Sequence, residues 1–438
     1  MKLLFFSALF ACAACGAFAE TVVLDGFTLI DGNGAKPLSN AAMIIVDGRI
    51  QWIGSQSQLK APAGVEVTHL TGKYIMPGII NLHGHLGNTL ELTQDPKNFT
   101  RENLEKQLQL YASYGVTSVV SMGTDRDLIF PMRAEQRAGR PRMTRIFTAG
   151  RGFTGVGGYP TTAQGMKGVP FEVASTAEVD QDVAQLANQK VDLVKIWVDD
   201  HLGREKKIPL DLCKAIIADG HKHGLKVAAH VFYLDDAKAL IDAGLDGLAH
   251  SVRDKAVDDE LIASMKKHGA FQEAATLTRE ESTFIFAKPG PLLDDPFFTR
   301  GLSPAVLATL RSPAYQNKAA ADPDYAKYPG FLQTAMQNLK KLADSGVAIG
   351  FGTDSGPPAR FQGFFEHWEL QLMTESGLTP KQVITAATRN AAAFLRAKDL
   401  GTLEPGKWAD LIVLGKNPLD DIRNTRSIEM VMIAGNKI

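Results

Sequence analysis

The sequence predicts an α/β fold, a (β/α)8 barrel of the TIM type with a small β-sandwich domain formed by both termini. Between residues 77 and 400, eight short apolar segments alternate with stretches of helical periodicity, which is typical of repeated β/α units. At both ends, short alternating segments are separated by turn signals. With 438 residues, of which 45% are hydrophobic and 22% charged, the chain can form one large domain and a smaller one.

The first 19 residues have the pattern of a secretory signal peptide. Lys2 precedes an apolar run over residues 3–15, and an A-x-A cleavage motif ends at Ala19. We therefore expect cleavage after Ala19 and a secreted or periplasmic protein. Lipidation at Cys15 and a buried first helix are the alternatives.

Charge and cysteine content narrow the possible partners. The formal net charge is −1 and no block of like charge occurs, so nothing indicates nucleic acid or a membrane surface as a partner. After signal cleavage Cys213 would be the one cysteine left, which excludes an intrachain disulfide. No segment beyond the signal has the length and hydrophobicity of a membrane span. A small-molecule substrate is the expected partner.

The two ends of the chain are predicted to form one small β domain. Residues 20–76 contain alternating segments at 21–24, 42–46 and 50–54, joined by Asp-Gly and Asn-Gly hairpin signals. Residues 401–438 contain similar alternating segments at 409–414 and 428–435. The barrel is expected between these parts, over residues 77–400.

Eight apolar segments supply the predicted barrel strands, at residues 78–83, 116–122, 145–149, 192–197, 226–230, 246–250, 270–275 and 347–353. An open doubly wound sheet is the alternative, but no Gly-rich phosphate-binding turn follows the first strand. Residues 276–330 are too long for a plain loop and are predicted to form a lid or a subunit contact. A homo-oligomer is expected.

Side chains with metal-binding chemistry stand at the ends of several of these strands. His83 and His85 end the first strand, and because strand side chains alternate between faces, residues two apart can reach one ion. His230 ends the fifth strand and His250 the sixth, which places both over the same mouth of a barrel. Asp354 follows the eighth strand, either as a ligand that also accepts a proton or as a helix N-cap.

Lys195 lies within the fourth apolar strand. A lysine in such a strand is costly unless it is neutralised or paired, and desolvation lowers its pKa and makes it a nucleophile. Carboxylation by CO₂ would convert it into a carbamate, an anionic ligand able to bridge two cations. Alternatively, its ammonium group reaches solvent or pairs with Asp199 or Asp200.

Together these residues resemble the amidohydrolase superfamily, most closely its imidazolonepropionase-related and prolidase-like dipeptidase members. The matching parts are Met76-Pro77-Gly78 through His85, Lys195, the segment from His230 to His250, and Gly352-Thr353-Asp354-Ser355-Gly356. Residues 377–380, 386–392 and 401–418 agree as well. The resemblance therefore covers essentially the whole chain after the signal.

The resemblance implies a centre of two divalent ions. His83, His85 and Asp354 would bind one ion, His230 and His250 the other, and carboxylated Lys195 would bridge them together with a hydroxide. Asp354 would also accept a proton and deliver it to the leaving amine. Imidazole ligands favour Zn²⁺, although cobalt and manganese stay open.

The resemblance also implies a function. We expect an exported binuclear metal-dependent amidohydrolase that cleaves an amide bond of a small molecule, an N-acyl amino acid or a dipeptide, by attack of the metal-bridging hydroxide. A lactam, a carbamate or an ester is the alternative substrate. A non-catalytic metal-binding or carbohydrate-binding barrel is the alternative from another class of protein.

Two positions depart from the family pattern. Asn81 stands where relatives commonly carry Asp, and Phe232 stands where the dipeptidase branch often has a substrate-binding Tyr, with Tyr233 following.

Further candidates for substrate binding lie just beyond strand ends. Arg151, Arg253 and Tyr159 are placed to grip a substrate carboxylate, with ordinary surface roles as the alternative.

Overall fold

The eight predicted barrel strands all form. The computed structural model describes residues 20–438, and the predicted signal peptide lies outside them. In chain order the barrel strands are Ile79–Gly84, Val116–Ser121, Arg145–Thr148, Leu193–Trp197, Lys226–His230, Gly247–Leu248, Phe271–Gln272 and Ala348–Ile349. They are named below as the first to the eighth barrel strand.

All neighbouring barrel strands run parallel and close into a ring. The first three pair in one sheet, and the fourth to the eighth pair in a second sheet. Backbone hydrogen bonds join the sheets at both seams, from Leu82 N–H to the carbonyl of Phe351 and from Asp192 N–H to that of Thr148, each at 2.8 Å. Two short strands, Phe153–Gly155 and Phe171–Val173, extend the sheet beside the fourth strand. The prediction of a TIM-type barrel is confirmed.

Helices surround the barrel, and side-chain caps fix the starts of several of them. Thr100 accepts a hydrogen bond from Asn103 N–H, and Asp258 accepts one from Leu261 N–H, which satisfies backbone donors that lack a partner within the helix. The α-helices are Arg101–Ser113, Ile129–Ala138, Thr176–Asn188, Leu210–Lys222, Leu234–Asp242, Asp259–His268, Leu277–Ser282, Pro296–Thr299, Pro304–Arg311, Pro313–Ala320, Tyr328–Asp344, Phe364–Glu375, Pro380–Thr385 and Ala391–Phe394. Within residues 20–438 none of the helices combines the length and apolar character that a bilayer crossing requires.

Both ends of the described chain contribute to one eight-stranded sheet. Its strands are Thr21–Leu29, Leu38–Val46, Arg49–Ser55, Val67–His69, Tyr74–Pro77, Leu411–Leu414, Ile428–Ile433 and Asn436–Lys437. Tyr74–Pro77 lies between the N-terminal strand Thr21–Leu29 and the C-terminal strand Leu411–Leu414.

This sheet curls back on itself and encloses its own core. Ile50 N–H donates to the carbonyl of Lys407 at 2.9 Å, and Ala409 N–H donates to that of Gly48 at 2.8 Å. The enclosed side chains include Phe27, Met43 and Leu411, all with no more than 1% of their surface exposed. Because Tyr74–Pro77 leads directly into the first barrel strand, this small domain fixes where the barrel begins.

The segment 276–330 forms short helices on the flank of the barrel. The Tyr114 hydroxyl donates to the carbonyl of Phe297 at 2.8 Å, and the Phe298 ring packs 4.6 Å from that of Phe364. These contacts place the segment against the helices Arg101–Ser113 and Phe364–Glu375.

Candidate metal centre

The predicted metal ligands converge at the carboxyl ends of the barrel strands. His83, His85, His230, His250 and Asp354 line one cavity of about 270 Å³. Lys195 is fully buried beneath them, with its Nζ 3.5 Å from His83 Nε2. Ligand atoms of His83, His250 and Asp354 lie within 4.8 Å of one another, a spacing that can hold a divalent ion.

A hydrogen bond on one ring nitrogen orients three of the four histidines. His85 Nδ1 lies 3.0 Å from Thr124 Oγ1, His230 Nε2 lies 2.7 Å from Asp199 Oδ2, and His250 Nδ1 lies 2.8 Å from Thr276 Oγ1. Such contacts fix the ring and leave the opposite nitrogen for a metal ion. His83 Nδ1 has no hydrogen-bond partner although it is buried. This donor set, with an orphaned buried imidazole nitrogen, fits a divalent metal.

Burial keeps the imidazoles neutral, which is the state that binds metal. It lowers the pKa of His83, helped by the nearby Lys195, and it lowers the pKa of His250, helped by His230. Burial also lowers the pKa of His230 to about 4, although Asp199 opposes the shift. All three rings are therefore uncharged at neutral pH.

Lys195 is the buried lysine that the sequence indicates, and it has no carboxylate within salt-bridge distance among the described residues. Burial lowers the pKa of its amine to about 7, which Glu273 partly opposes. Both oxygens of Glu273 lack a hydrogen-bond partner, and burial raises the pKa of its carboxyl to about 8. A substantial fraction of uncharged amine is thus present near neutral pH, and this form is the one that reacts with CO₂.

Asp354 lies at the centre of the charges in the site. Its Oδ1 is 2.9 Å from His85 Nε2, while its Oδ2 is 3.1 Å from Arg279 Nε and 2.5 Å from Arg360 Nη1. Burial raises the pKa of this carboxyl, but the charge of Arg360 and the hydrogen bond with His85 outweigh it and hold the pKa well below its usual range. Asp354 has φ of 56°, a left-handed conformation that is costly for a non-glycine residue.

Asn81 connects the first barrel strand to the segment that carries Asp354. Its Nδ2 donates to Glu366 Oε1 at 2.7 Å and to Thr353 Oγ1 at 3.0 Å, and its Oδ1 accepts from His83 N–H at 2.8 Å. Asparagine can donate and accept at once, whereas an ionised Asp at this position could only accept. Asn81, which replaces the Asp common in the family, therefore has an acceptor for its amide N–H in the carboxylate of Glu366.

The backbone at Gly356 packs closely against the backbone of His85, next to the ligands. A Cβ on Gly356 would lie 2.1 Å from the carbonyl oxygen of His85, and Gly356 has φ of 118°. Only glycine tolerates both conditions. The chain after Asp354 can therefore lie directly against the strand end that carries His85.

Besides the ligands, Thr124 and Trp197, the walls of the cavity come from three loops. They are the hairpin after the first barrel strand, the loop around residues 159–166 and the turn at 357–360. None of the lining residues belongs to segment 276–330, so this segment forms no part of the cavity wall. The alternative expectation for it, a subunit contact, stays a prediction. The wall residues besides the ligands are Leu86, Asn88, Thr89, Gln94, Thr124, Tyr159, Pro160, Ala163, Gln164, Met166, Trp197, Pro357, Pro358 and Arg360.

Of the two tyrosine candidates for substrate binding, Tyr159 lies at the cavity and Tyr233 does not. Tyr159 lines the cavity, and its ring packs 5.2 Å from the His230 ring. Tyr233 is outside the lining, and its hydroxyl donates to Asp200 Oδ1 at 2.8 Å.

The two arginine candidates are not at the cavity. Arg151 donates to the carbonyls of Val169 and Pro170 and lies 4.0 Å above the Phe171 ring. Arg253 is only 2% exposed, donates to two backbone carbonyls, and pairs with Glu280 at 3.0 Å. Neither arginine therefore stands where it could grip a substrate carboxylate in this cavity, because strand-end position does not determine where a long side chain turns.

Sequence reasoning did not assign the partners that orient the ligands. Asp199 appeared only as a possible partner of Lys195, yet it bonds His230. Thr124 and Thr276 have no distinguishing pattern, although each follows the end of a barrel strand. Arg279, in the short helix Leu277–Ser282, and Arg360, in the turn after Asp354, both contact Asp354 from positions that no sequence periodicity predicts. Asp199 could have been singled out from the sequence, because it lies two residues after the end of the fourth barrel strand.

Comparisons with known proteins agree with this fold. The amidohydrolase family profile matches residues 74–438. An ochratoxinase from Aspergillus niger is 27% identical over 448 aligned residues, covering 92% of this chain and 83% of that protein. An imidazolonepropionase from Streptomyces avermitilis is 24% identical, covering 88% and 83%.

Solved structures share the same architecture. The crystal structure of a putative prolidase from Bifidobacterium longum superposes with a TM-score of 0.75 at 24% identity, covering 96% of this chain and 94% of that one. The family match extends over most of the chain and contains every predicted metal ligand. The chain belongs to the amidohydrolase family and is a hydrolase of carbon–nitrogen bonds.

Proposed function

We propose that this protein is an exported, binuclear metal-dependent amidohydrolase that cleaves an amide bond of a small N-acyl amino acid or dipeptide. The observation that carries the proposal is the convergence of four histidines and Asp354 on one cavity above the buried Lys195. The proposal of export rests on the signal-like pattern of residues 1–19.

The ligand assignment is the one that the family resemblance implies. His83, His85 and Asp354 would hold one ion, His230 and His250 the other, and carboxylated Lys195 would lie between them. When bound, two divalent ions polarise a substrate carbonyl and lower the pKa of water. Zn²⁺ is the proposed metal because the ligands are mainly imidazoles.

Asp354 is the residue proposed to move the proton. As an ionised carboxylate it can accept a proton from the attacking water and pass it to the nitrogen of the leaving amine. Arg279 stays paired with Asp354 and with Glu280, so the carboxylate keeps its orientation during transfer.

The size and walls of the cavity support a small substrate. Its volume of about 270 Å³ lies near the lower end of the roughly 300–1,000 Å³ of ligand pockets. Leu86, Met166 and Trp197 offer apolar surface, while Gln94 and Gln164 offer amides. A lactam, carbamate or ester remains the second candidate, because a polarised carbonyl next to a proton donor serves those bonds as well.

The test is a substrate panel with Zn²⁺-loaded enzyme, containing N-acetyl-L-amino acids, dipeptides, lactams and simple esters. We expect hydrolysis of at least one N-acyl amino acid or dipeptide, with release of the free amine. Asp354→Asn should lower turnover by about 10²–10⁴-fold, while Asp344→Asn, a surface aspartate paired with Lys340, should match wild type. Turnover of esters alone would move the assignment to the second candidate, and a near-wild-type rate for Asp354→Asn would remove its proton-transfer role.

A further inference from the structure

Arg360 is a cavity-lining arginine to which the proposed function assigns no role toward the substrate. It stands in the turn that follows Asp354 and belongs to the cavity wall, with 20% of its side chain exposed. Among residues 20–438, Asp354 is its only carboxylate partner within salt-bridge distance. A guanidinium has five N–H donors, and the one side-chain hydrogen bond recorded for Arg360 uses Nη1.

The two arginines on Asp354 differ in how firmly they are held. Arg279, with 12% of its side chain exposed, also pairs with Glu280, which in turn pairs with Arg253 at 3.0 Å. Arg360 has no such second carboxylate. A second anion entering the cavity can therefore engage Arg360 while Arg279 continues to neutralise Asp354.

The backbone that carries Arg360 is held in place. Arg360 N–H donates to the carbonyl of Pro357 at 3.0 Å, and Gly356 N–H donates to the carbonyl of Arg360 at 2.8 Å. Pro357 and Pro358 restrict the φ angles within the same turn. The guanidinium can therefore change partner by side-chain rotation alone, over a fixed Cα position.

We propose that Arg360 binds the α-carboxylate of the leaving amino acid and so selects N-acyl amino acids over neutral amides. This inference rests on the proposed function. Arg360 Nη1 lies 2.5 Å from Asp354 Oδ2, so a carboxylate bound by Arg360 lies next to the group that protonates the leaving nitrogen. In an N-acyl amino acid a single carbon separates the carboxylate from the amide nitrogen. This short separation matches the proximity of Arg360 to Asp354.

The charged residues that line the cavity favour a substrate that carries an anionic group. Arginine and carboxylate form charge-assisted, often bidentate hydrogen bonds. Arg360 is the one arginine among the described residues that line the cavity. Asp354 is the one acidic residue of the lining, and it is already paired with Arg279.

The experiment compares N-acetyl-L-amino acids with their matched carboxamides, which differ only in the negative charge. For wild type we expect kcat/KM to be about 10- to 100-fold higher with the carboxylate, in line with one charge-assisted interaction. Arg360→Met should remove this preference at unchanged metal content, and Arg360→Lys should restore part of it. Arg311→Met, a surface arginine paired with Asp294, should keep it.

A binding measurement separates this inference from the hydrolase proposal. Free L-amino acids should raise the Tm of wild type more than L-amino acid amides do, and Arg360→Met should lose that difference. If no amide is hydrolysed but the difference persists and depends on Arg360, the carboxylate site stands and the hydrolase proposal fails. If amides are hydrolysed without preference for the carboxylate, or Arg360→Met lowers both substrates equally, the inference is overturned and the hydrolase proposal stands.

Discussion

At the scale of single residues, a chain of alternating charge leads from the barrel interior to the proposed proton carrier. Arg253 pairs with Glu280, Glu280 with Arg279, and Arg279 with Asp354. Arg253 and Glu280 have side chains only 2% and 4% exposed, so both charges are compensated inside the protein. Arg253 therefore supports the site from behind, as a positioning residue.

Replacing Arg253 should test this structural role. Arg253→Met removes one of the two cations that pair with the buried carboxylate of Glu280. Breaking such a buried pair costs about 3–5 kcal/mol. We expect a free energy of unfolding lower by that amount in urea titrations, while Arg311→Met should change it by less than about 1 kcal/mol. A selective loss of activity toward carboxylate substrates at unchanged stability would instead return Arg253 to the substrate site.

Lys195 allows a direct test of the bridging ligand. Lys195→Ala should lose bound metal and activity, because no other described anionic side chain lies within ion-pairing distance of its amine. Short carboxylic acids added with Zn²⁺ can mimic the missing carbamate and should restore part of the activity. Metal analysis together with turnover checks this, and undiminished activity of Lys195→Ala without additives would refute the bridging role.

At the scale of secondary-structure elements, Asp125 ties the second barrel strand to the third. Its carboxylate accepts hydrogen bonds from Ser121 Oγ, at the end of the second strand, and from Thr148 Oγ1, at the end of the third. Burial raises its pKa to about 7, while the two hydroxyl groups oppose the shift. This contact therefore depends on pH.

The sign of that dependence follows from the raised pKa. Below about pH 4 both the folded and the unfolded form are protonated; between about pH 4 and 7 only the unfolded form ionises, so stability falls as pH rises. Between pH 4 and 8, Asp125→Asn should gain on the order of 3 kcal/mol relative to wild type in free energy of unfolding. Asp127→Asn, at an exposed neighbour, should show no such trend, and parallel pH profiles for Asp125→Asn and wild type would contradict the assignment.

The elements also show what the sequence could and could not predict. All eight barrel strands form where apolar runs predict them, and the ligands stand at their ends, because strand alternation and barrel topology fix both. The path of segment 276–330 was not predictable, since length and composition indicate an insertion but not the surface it packs on. The direction of Arg253 was likewise set by Glu280, a contact that no local pattern encodes.

At the scale of the whole molecule, the small β domain and the barrel form one connected structure. Tyr74–Pro77 pairs with both terminal parts of the chain and leads into the first barrel strand. Arg145 of the third barrel strand pairs with Asp410 of the small domain at 2.7 Å, with both side chains largely buried. The end of the barrel opposite the metal centre is thus held by both termini, which leaves the ligand-bearing end free to vary in its loops.

The central claim is that hydrolysis depends on divalent ions held by this set of histidines and acidic ligands. The most direct measurement is metal analysis of the purified protein combined with amide-hydrolysis assays before and after chelation. The account predicts about two divalent ions per chain, loss of activity in chelator, and recovery on addition of Zn²⁺. Protein that holds no divalent ion and keeps full activity in chelator would contradict it.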